Sequence, residues 1–242
     1  MGHQAIAKAQ NETPPLRIAA AADLQPVLPT LAAEYTRQFR TAILPSFGSS
    51  ATLTQQIQNG APVDLFLSAD CALPQLLADA HLTSAPPTPY ATGVLVLWAR
   101  KDSPAQPLTL GSLTSPKVTR IAVANDLHAP YGQAATAELR ALHLQESLTP
   151  KLVTGENIMQ TAQFAYAGNA QAAFISLTIA SSPHFRETGT FIPLPRRYPP
   201  IRQCGVVLTH ATNPASAQNF LRWLTSPAVQ TKLPQFGLDP AH

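Results

Sequence analysis

Residues 59–70 read NGAPVDLFLSAD and contain three structural signals in succession. Asn59-Gly60 is a typical helix end, here of a helix predicted at about residues 51–58. Residues 63–68 form an apolar run with the character of a buried strand. Asp70 is placed to cap a further helix. A helix, a strand and a helix in this order predict a layered α/β fold.

Short β-like runs alternate with helical stretches along the rest of the chain. Further strands are predicted at about residues 16–21, 43–47, 93–100, 118–124, 151–154, 171–176, 191–194 and 205–209. Further helices are predicted at about residues 24–39, 132–143, 157–167, 214–224 and 227–235. Pro29 lies one turn inside the first of these helices, where it is expected to cost a hydrogen bond or begin a kink.

The composition excludes several classes of function. Of 242 residues, 16 are Lys or Arg and 13 are Asp or Glu. These 12% of charged residues compare with about 25% in an average domain. The net charge of +3 comes from scattered residues, so the basic stripe of a nucleic-acid-binding protein is missing. No apolar run approaches the roughly 20 residues that span a bilayer, so membrane insertion is not expected.

The sequence carries no motif of an enzyme. G-x-S-x-G, the phosphate-binding loop, G-x-G-x-x-G and H-E-x-x-H are all missing. The seven His residues are scattered, and a structural role explains them more simply than a Ser-His-Asp triad assembled by the fold. We therefore expect no catalytic residue and no cofactor.

The first 15 residues are polar and lack the apolar segment of a signal peptide. Met1-Gly2-His3 has the character of an expression start placed before a mature chain. These residues are expected to form a flexible N-terminus, and they leave export from the cytoplasm open.

Four β-runs end where small, uncharged or Gly/Pro residues open a helix. The four turns are Ala22-Asp23, Gly48-Ser49-Ser50, Pro130-Tyr131-Gly132 and Glu156-Asn157-Ile158. Helix N-termini bind anions without Lys or Arg, and in an open α/β sheet such turns gather at the carboxyl edge. Any α/β protein has turns of this kind, however, and their spacing alone favours that ordinary interpretation.

Five segments carry a family resemblance that favours an anion site over ordinary strand-to-helix turns. They are residues 17–24 (RIAAAADL), 46–53 (SFGSSATL), 56–70 (QIQNGAPVDLFLSAD), 128–132 (HAPYG) and 151–158 (KLVTGENI). On these residues the chain resembles the periplasmic molybdate-binding proteins that deliver their substrate to ABC importers. The resemblance covers roughly residues 16–238.

The resemblance implies a two-domain class II periplasmic binding protein, in which each domain is a mixed sheet flanked by helices. Residues 16–90 plus 205–242 would form a discontinuous domain 1, and residues 91–204 an inserted domain 2. Two crossovers, near Ala91 and near Arg202, would form a hinge, and closure would trap the ligand between the domains.

The resemblance also implies a ligand shell of hydroxyl and backbone N–H groups. The residues expected to bind the ligand are Ala22, Asp23, Ser49, Ser50, Tyr131 and Ile158. Ser50 would donate its hydroxyl and amide, and it would also cap the helix that starts at Ala51. Tyr131 would offer its amide and hydroxyl unless it is a packing aromatic, and Ile158 only its amide. Ser50 and Tyr131 would thus contact the oxyanion itself, with no bare metal ion involved.

Two positions depart from the family pattern. Asp23 stands where members commonly have Ser, Thr or Asn, and an ionised carboxylate would repel a dianion in a dry cleft. We expect it to turn back and cap the helix at residues 24–27. If it faced the cleft instead, it would favour a protonated anion such as hydrogen phosphate. Ser176 stands near a second tyrosine of some members, so that donor is replaced or lost.

Cys71 and Cys204 are far apart in sequence and have no metal-ligand spacing. In the implied fold both lie near the hinge edge of one domain, where an oxidising periplasm could join them. Two buried reduced thiols are an equally good interpretation.

The expected function is periplasmic binding of molybdate, with tungstate as a second ligand, and delivery to an ABC permease by a monomer. One alternative is a carrier of sulfate or phosphate, for which Asp23 is the main argument. Another is a ligand-sensing regulatory module, although the DNA-binding helices or membrane span of such a protein are missing. An enzyme is the third and has no motif in its favour.

Overall fold

The computed structural model describes residues 14–241. The predicted flexible N-terminus lies outside this range except for Pro14 and Pro15. In chain order the strands are β1 (Leu16–Ala21), β2 (Ile43–Gly48), β3 (Leu65–Ser68), β4 (Thr88–Gly93), β5 (Leu95–Arg100), β6 (Ile121–Ala124), β7 (Leu152–Gly155), β8 (Ala172–Ser176), β9 (Gly189–Pro193), β10 (Ile201–Val207) and β11 (Leu238–Pro240). The α-helices are α1 (Leu28–Phe39), α2 (Ser50–Gln58), α3 (Ala72–Asp79), α4 (Pro130–Ala141), α5 (Gln145–Leu148), α6 (Ile158–Tyr166), α7 (Leu177–Ala180), α8 (Pro183–Thr188), α9 (Pro214–Leu224) and α10 (Pro227–Gln230).

The strands form two mixed sheets. The first has the order β11-β4-β10-β3-β1-β2, in which β1 is parallel to β2 and β3 while β10 is antiparallel to β3 and β4. The second has the order β7-β6-β8-β5-β9, in which β6 is parallel to β7 and β8 while β5 is antiparallel to β8 and β9. In each sheet the parallel strands bring their carboxyl ends, and the turns that follow them, to one edge.

Strand β3, which lies within the quoted stretch 59–70, is buried on both faces because helices cover both sides of the first sheet. Leu65 and Leu67 belong to one core cluster, together with Tyr35 of α1 and Phe220 of α9. Phe66 points the other way and joins the side chains of α2 and α3. This alternation explains why a central strand of a covered sheet has an uninterrupted apolar sequence.

The chain passes between the sheets twice, at residues 93–95 and at residues 193–201. The strand predicted at residues 93–100 is present as β5, which starts two residues later at Leu95, whereas β4, which ends at Gly93 in the other sheet, was not predicted. The crossovers lie beside each other, since Gly93 and Ile201 are partners in the β4–β10 ladder. The predicted domain limits at residues 90 and 205 fall inside these two strands.

The first predicted helix starts later than the sequence pattern suggested. Residues 22–24 form a single 3-10 turn, and α1 begins at Leu28 after the chain has turned at Pro26. Pro29 therefore lies in the first turn of α1, where its missing N–H costs no helical hydrogen bond. The expected interior kink does not occur.

Cys71 and Cys204 form a disulfide bond, with their Cα atoms 4.8 Å apart. The bond fastens the loop after β3 to β10, and the Cys204 N–H donates to the Asp70 carbonyl at 3.2 Å beside it. The alternative of two reduced thiols is not what the structure contains.

Within residues 14–241, none of the helices combines the length and the apolar character that crossing a membrane requires.

Candidate functional site

The carboxyl edges of the two sheets face each other across a small cavity lined mostly by buried residues. Its volume of about 10 Å³ is room for about one water molecule. The lining residues are Ala21, Ala22, Asp23, Gly48, Ser49, Ser50, Ala69, Ala129, Pro130, Tyr131, Asn157 and Ile158. All six residues predicted to bind the ligand are among them.

None of these lining residues is Lys, Arg or His. The polar groups that remain are hydroxyls, an amide side chain, backbone N–H groups and one carboxyl. Helices α2, α4 and α6 begin at Ser50, Pro130 and Ile158, all in the lining. Their first turns bring unpaired N–H groups and the positive ends of three helix dipoles to one place.

Two neighbouring serines have different roles. Ser49, and not Ser50 as predicted, is the N-cap of α2, because its backbone is still extended while Ser50 is already helical. The Ser49 Oγ accepts from the Thr52 N–H at 3.2 Å and donates to the Thr52 Oγ1 at 2.6 Å. The Ser50 Oγ accepts from the Ala69 N–H at 3.1 Å and donates to no group within residues 14–241. Ser50 therefore keeps a hydroxyl hydrogen for a ligand, and Ser49 does not.

The Asp23 side chain does not cap a helix, which corrects the prediction. No helical amide needs capping there, since α1 starts only at Leu28. The buried carboxyl instead accepts at Oδ2 from the Tyr131 Oη at 3.0 Å and from the Gln203 Nε2 at 2.6 Å. Burial raises the pKa of Asp23 to about 6, although the hydrogen bonds from Gln203 and Tyr131 lower it.

The Tyr131 hydroxyl does not point its hydrogen at the ligand, contrary to the expectation from the sequence. The hydroxyl donates to Asp23, and burial together with the Asp23 charge raises the Tyr131 pKa well above that of a free phenol. The Tyr131 ring can lie here only because residue 93 is a glycine. A Cβ at Gly93 would lie 2.8 Å from the Tyr131 Cζ and 3.0 Å from the Gln203 Nε2, distances that leave no room for a side chain.

Two positions considered for ligand contacts remain, Ile158 at the start of α6 and Ser176 at the end of β8. The Asn157 Oδ1 accepts from the N–H groups of Met159 and Gln160, both at 3.0 Å, so the Ile158 N–H is left outside this cap. The Ile158 side chain is buried, as expected for a residue that offers only its amide. Ser176 does not line the cavity, and its Oγ donates to the Thr178 Oγ1 at 2.7 Å, because Thr178 gives its own hydrogen to the Asp23 carbonyl.

Several hydrogen bonds join the two halves around the cavity. The Thr178 Oγ1 donates to the Asp23 carbonyl oxygen at 2.7 Å, and the Ala51 N–H donates to the His128 carbonyl oxygen at 3.2 Å. With the bond between Tyr131 and Asp23, these contacts hold the cleft closed. Sequence reasoning missed Thr178, and also Gln203 and Gly93, because a lone Thr, Gln or Gly near a strand end carries no local signal.

Two mixed sheets joined by a double crossover, and closed on a cavity of neutral donors, define the class of two-lobed solute-binding proteins. Residues 16–239 match the family described as "Bacterial extracellular solute-binding protein". The chain is 32% identical to the "Molybdate-binding protein ModA" of Rhodobacter capsulatus, over 86% of this chain and 81% of that protein. It is also 32% identical to the protein of the same name from Azotobacter vinelandii, over 92% and 88%.

A solved structure, the Azotobacter vinelandii periplasmic molybdate-binding protein, superposes with a TM-score of 0.83 at 28% identity. The match covers 94% of this chain and all of that one (100%). The chain therefore belongs to the molybdate-binding family of bacterial extracellular solute-binding proteins. The family and the fold class predicted from the sequence are confirmed, and so is the expectation of a binding protein rather than an enzyme.

Proposed function

We propose that the protein binds molybdate between its two halves, at this cavity, which must widen from its present volume of about 10 Å³ to admit the five-atom anion. Tungstate would bind by the same contacts, and the protein would deliver the anion to the permease of an ABC importer. It would act outside the cytoplasm as a monomer, without a cofactor. The observation that carries the proposal is a buried cavity at three helix N-termini, lined by neutral donors and without a cation. The relatives named as molybdate-binding proteins support the choice of anion.

Neutral donors suit a small, fully ionised oxyanion. Fixed N–H and O–H groups in a buried site bind charge strongly because the local dielectric constant is low and the groups need no reorientation. The Ser50 hydroxyl is already oriented by the Ala69 N–H, so donating its own hydrogen costs little entropy. The amides at the starts of α2, α4 and α6 approach from both halves, which makes closure and binding one event.

One observation favours a second candidate, a carrier of hydrogen phosphate. The Asp23 carboxyl lies in the lining, and in its ionised form it would accept the hydrogen that such an anion carries. Sulfate has no such hydrogen and gains nothing from Asp23.

Titration calorimetry with molybdate, tungstate, sulfate and phosphate tests the proposal directly. We expect tight binding of molybdate and tungstate and weak binding of the other two. Tight phosphate binding with no response to molybdate would contradict the proposal and favour the second candidate.

The pair of serines provides a matched comparison. Ser50→Ala should weaken molybdate binding by about 1.5–3 kcal/mol, since it removes a hydrogen bond to a charged group. Ser49→Ala should lower the free energy of unfolding by about 1 kcal/mol through loss of the N-cap and leave the affinity nearly unchanged. Equal affinity losses in both variants would remove Ser50 from its proposed role.

A further inference from the structure

The carboxyl group of Asp23 is buried but only half satisfied. Oδ2 accepts two hydrogen bonds, whereas Oδ1 has no partner among residues 14–241. Asp23 is fully buried and belongs to the lining of the cavity. An acceptor oxygen left without a donor beside a site for an anion calls for a physical explanation.

Among residues 14–241, no cationic side chain lies beside Asp23 to offset the charge that a bound anion would add. The 3-10 turn that contains it packs against β2, α6 and α7, and β2 and α7 contain no titratable side chain. The titratable or charged groups of the surrounding elements are Tyr90, Tyr131, Tyr166, Asp70, Arg140, Arg202 and Glu138. Arg140, in the last turn of α4, is exposed and donates to the Gln145 side chain. Tyr90 and Tyr131 are buried phenols whose pKa values are raised well above the ordinary value, so they stay neutral.

The remaining groups do not neutralise Asp23 either. Tyr166 lies at the far end of α6, and Arg202 is exposed, whereas its neighbour Gln203 is buried against Asp23. Asp70 is another acid, and it raises the pKa of Tyr90 alongside Asp23. Glu138 accepts from the backbone N–H groups of residues 197 and 198. An ionised Asp23 would therefore face a bound dianion with no cationic side chain of residues 14–241 in between.

We propose that Asp23 takes up one proton from solvent when the anion binds, and that it thereby determines which anions bind and at what pH. This inference rests on the proposed function. The bound complex then holds the dianion, a neutral carboxyl and one proton more than the separate protein and anion. The proton goes to Oδ1, because Oδ2 already accepts from Tyr131 and Gln203. The unpartnered acceptor becomes a donor, which removes both the repulsion and the unsatisfied atom.

Proton uptake makes the affinity depend on pH. Because the pKa of Asp23 in the ligand-free protein is about 6, most molecules carry an ionised Asp23 at neutral pH. The dissociation constant for molybdate should rise about tenfold for each pH unit above that value. Each binding event near pH 7.5 should consume about one proton.

Asp23→Asn imitates the protonated carboxyl. Its amide oxygen can accept from Tyr131 and Gln203 in place of Oδ2, and its amide NH₂ can donate in place of a protonated Oδ1. We expect this variant to bind molybdate with the same affinity from pH 6.5 to 8.5 and to take up no proton. Ser50→Ala, the matched control, should bind more weakly at every pH but keep the tenfold slope of the unchanged protein.

The experiment is calorimetric titration with sodium molybdate between pH 6.5 and 8.5, in buffers of different ionisation enthalpy. The way the binding enthalpy changes with the buffer gives the number of protons that the unchanged protein takes up on binding. This part of the test therefore does not require that Asp23→Asn folds. A flat affinity with no proton uptake would overturn the role of Asp23 while leaving the proposed function intact. Phosphate binding that is tighter than molybdate binding and is lost in Asp23→Asn would also overturn it, since Asp23 would then act as an ionised acceptor. If neither the unchanged protein nor Asp23→Asn bound molybdate at any pH, the proposed function would be refuted instead.

Discussion

A single methyl group at residue 93 tests the packing that places Tyr131 and Gln203 around Asp23. In Gly93→Ala the new Cβ would lie 2.8 Å from the Tyr131 Cζ and 3.0 Å from the Gln203 Nε2. Real Cβ atoms do not approach other atoms as closely as the first of these distances, so the tyrosine ring must move. It cannot move without stretching its hydrogen bond to Asp23.

The expected loss in the free energy of unfolding of Gly93→Ala has two contributions. Overfilling a packed interior by one methyl group costs about 1–3 kcal/mol. Leaving the buried Asp23 carboxyl without its tyrosine donor costs a further amount of about 1–3 kcal/mol. We therefore expect the free energy of unfolding to fall by about 2–6 kcal/mol, with molybdate binding at least about tenfold weaker because Tyr131 also lines the cavity.

Urea denaturation measures the stability change, and calorimetric titration measures the affinity. Gly111→Ala is the matched control, because a Cβ there would meet only the Thr109 Oγ1 at an ordinary 3.7 Å. That control should differ from the unchanged protein by less than about 0.5 kcal/mol. If Gly93→Ala were as stable and bound molybdate as tightly as Gly111→Ala, the described packing of Tyr131 against Gly93 would be refuted.

Two further predictions concern stability. Replacing Cys71 and Cys204 together by Ala should lower the free energy of unfolding by about 2–5 kcal/mol, since the bond joins positions 133 residues apart. Denaturation in guanidinium chloride checks this, and an unchanged midpoint would contradict it. The raised pKa of Asp23, about 6, means that the folded state holds this proton more tightly than the unfolded chain, where the pKa is about 3.9. Its contribution to stability is therefore full below about pH 4 and is lost as the pH rises through 6, a change of about 3 kcal/mol. Thermal unfolding of the ligand-free protein at pH 4.5–8 should show this loss, and Asp23→Asn should not; equal profiles would contradict the prediction.

Local signals in the sequence predict much of the fold. Residues 59–70 indicated a helix end, a strand and a capped helix, and the structure has α2, β3 and α3 there. The Asp70 Oδ1 accepts from the Leu73 N–H at 2.9 Å, so it binds a first-turn amide of α3 as predicted, although the N-cap residue itself is Cys71. Such features are predictable because each depends on a few neighbouring residues and on one burial pattern.

The arrangement around Asp23 could not be predicted in the same way. Capping is the local preference of an Asp after a strand, but the partners that decided its position are 108 and 180 residues away, at Tyr131 and Gln203. The division of residues 93–100 between two sheets is likewise a tertiary effect. Gly93 pairs with β10 and Leu95 with β8, although both lie in one apolar run.

The strand-to-helix pattern already predicted that the turns with the six expected ligand residues meet at a sheet edge, but only the family resemblance indicated a ligand site there. Their spacing along the chain is that of ordinary strand-to-helix turns. What the sequence could not indicate is which hydroxyl stays free, because that depends on whether Ser49 or Ser50 begins α2.

A cavity without Lys, Arg or His also affects how the anion is captured from a salty medium. Dissolved salt screens exposed charges over a distance of about 8 Å at physiological ionic strength, but it screens buried groups much less. Dipoles of helices and hydroxyls that are fixed inside the fold keep their full strength there, whatever the surrounding salt concentration. An anion bound at this cavity as proposed should therefore keep nearly the same affinity as the salt concentration rises.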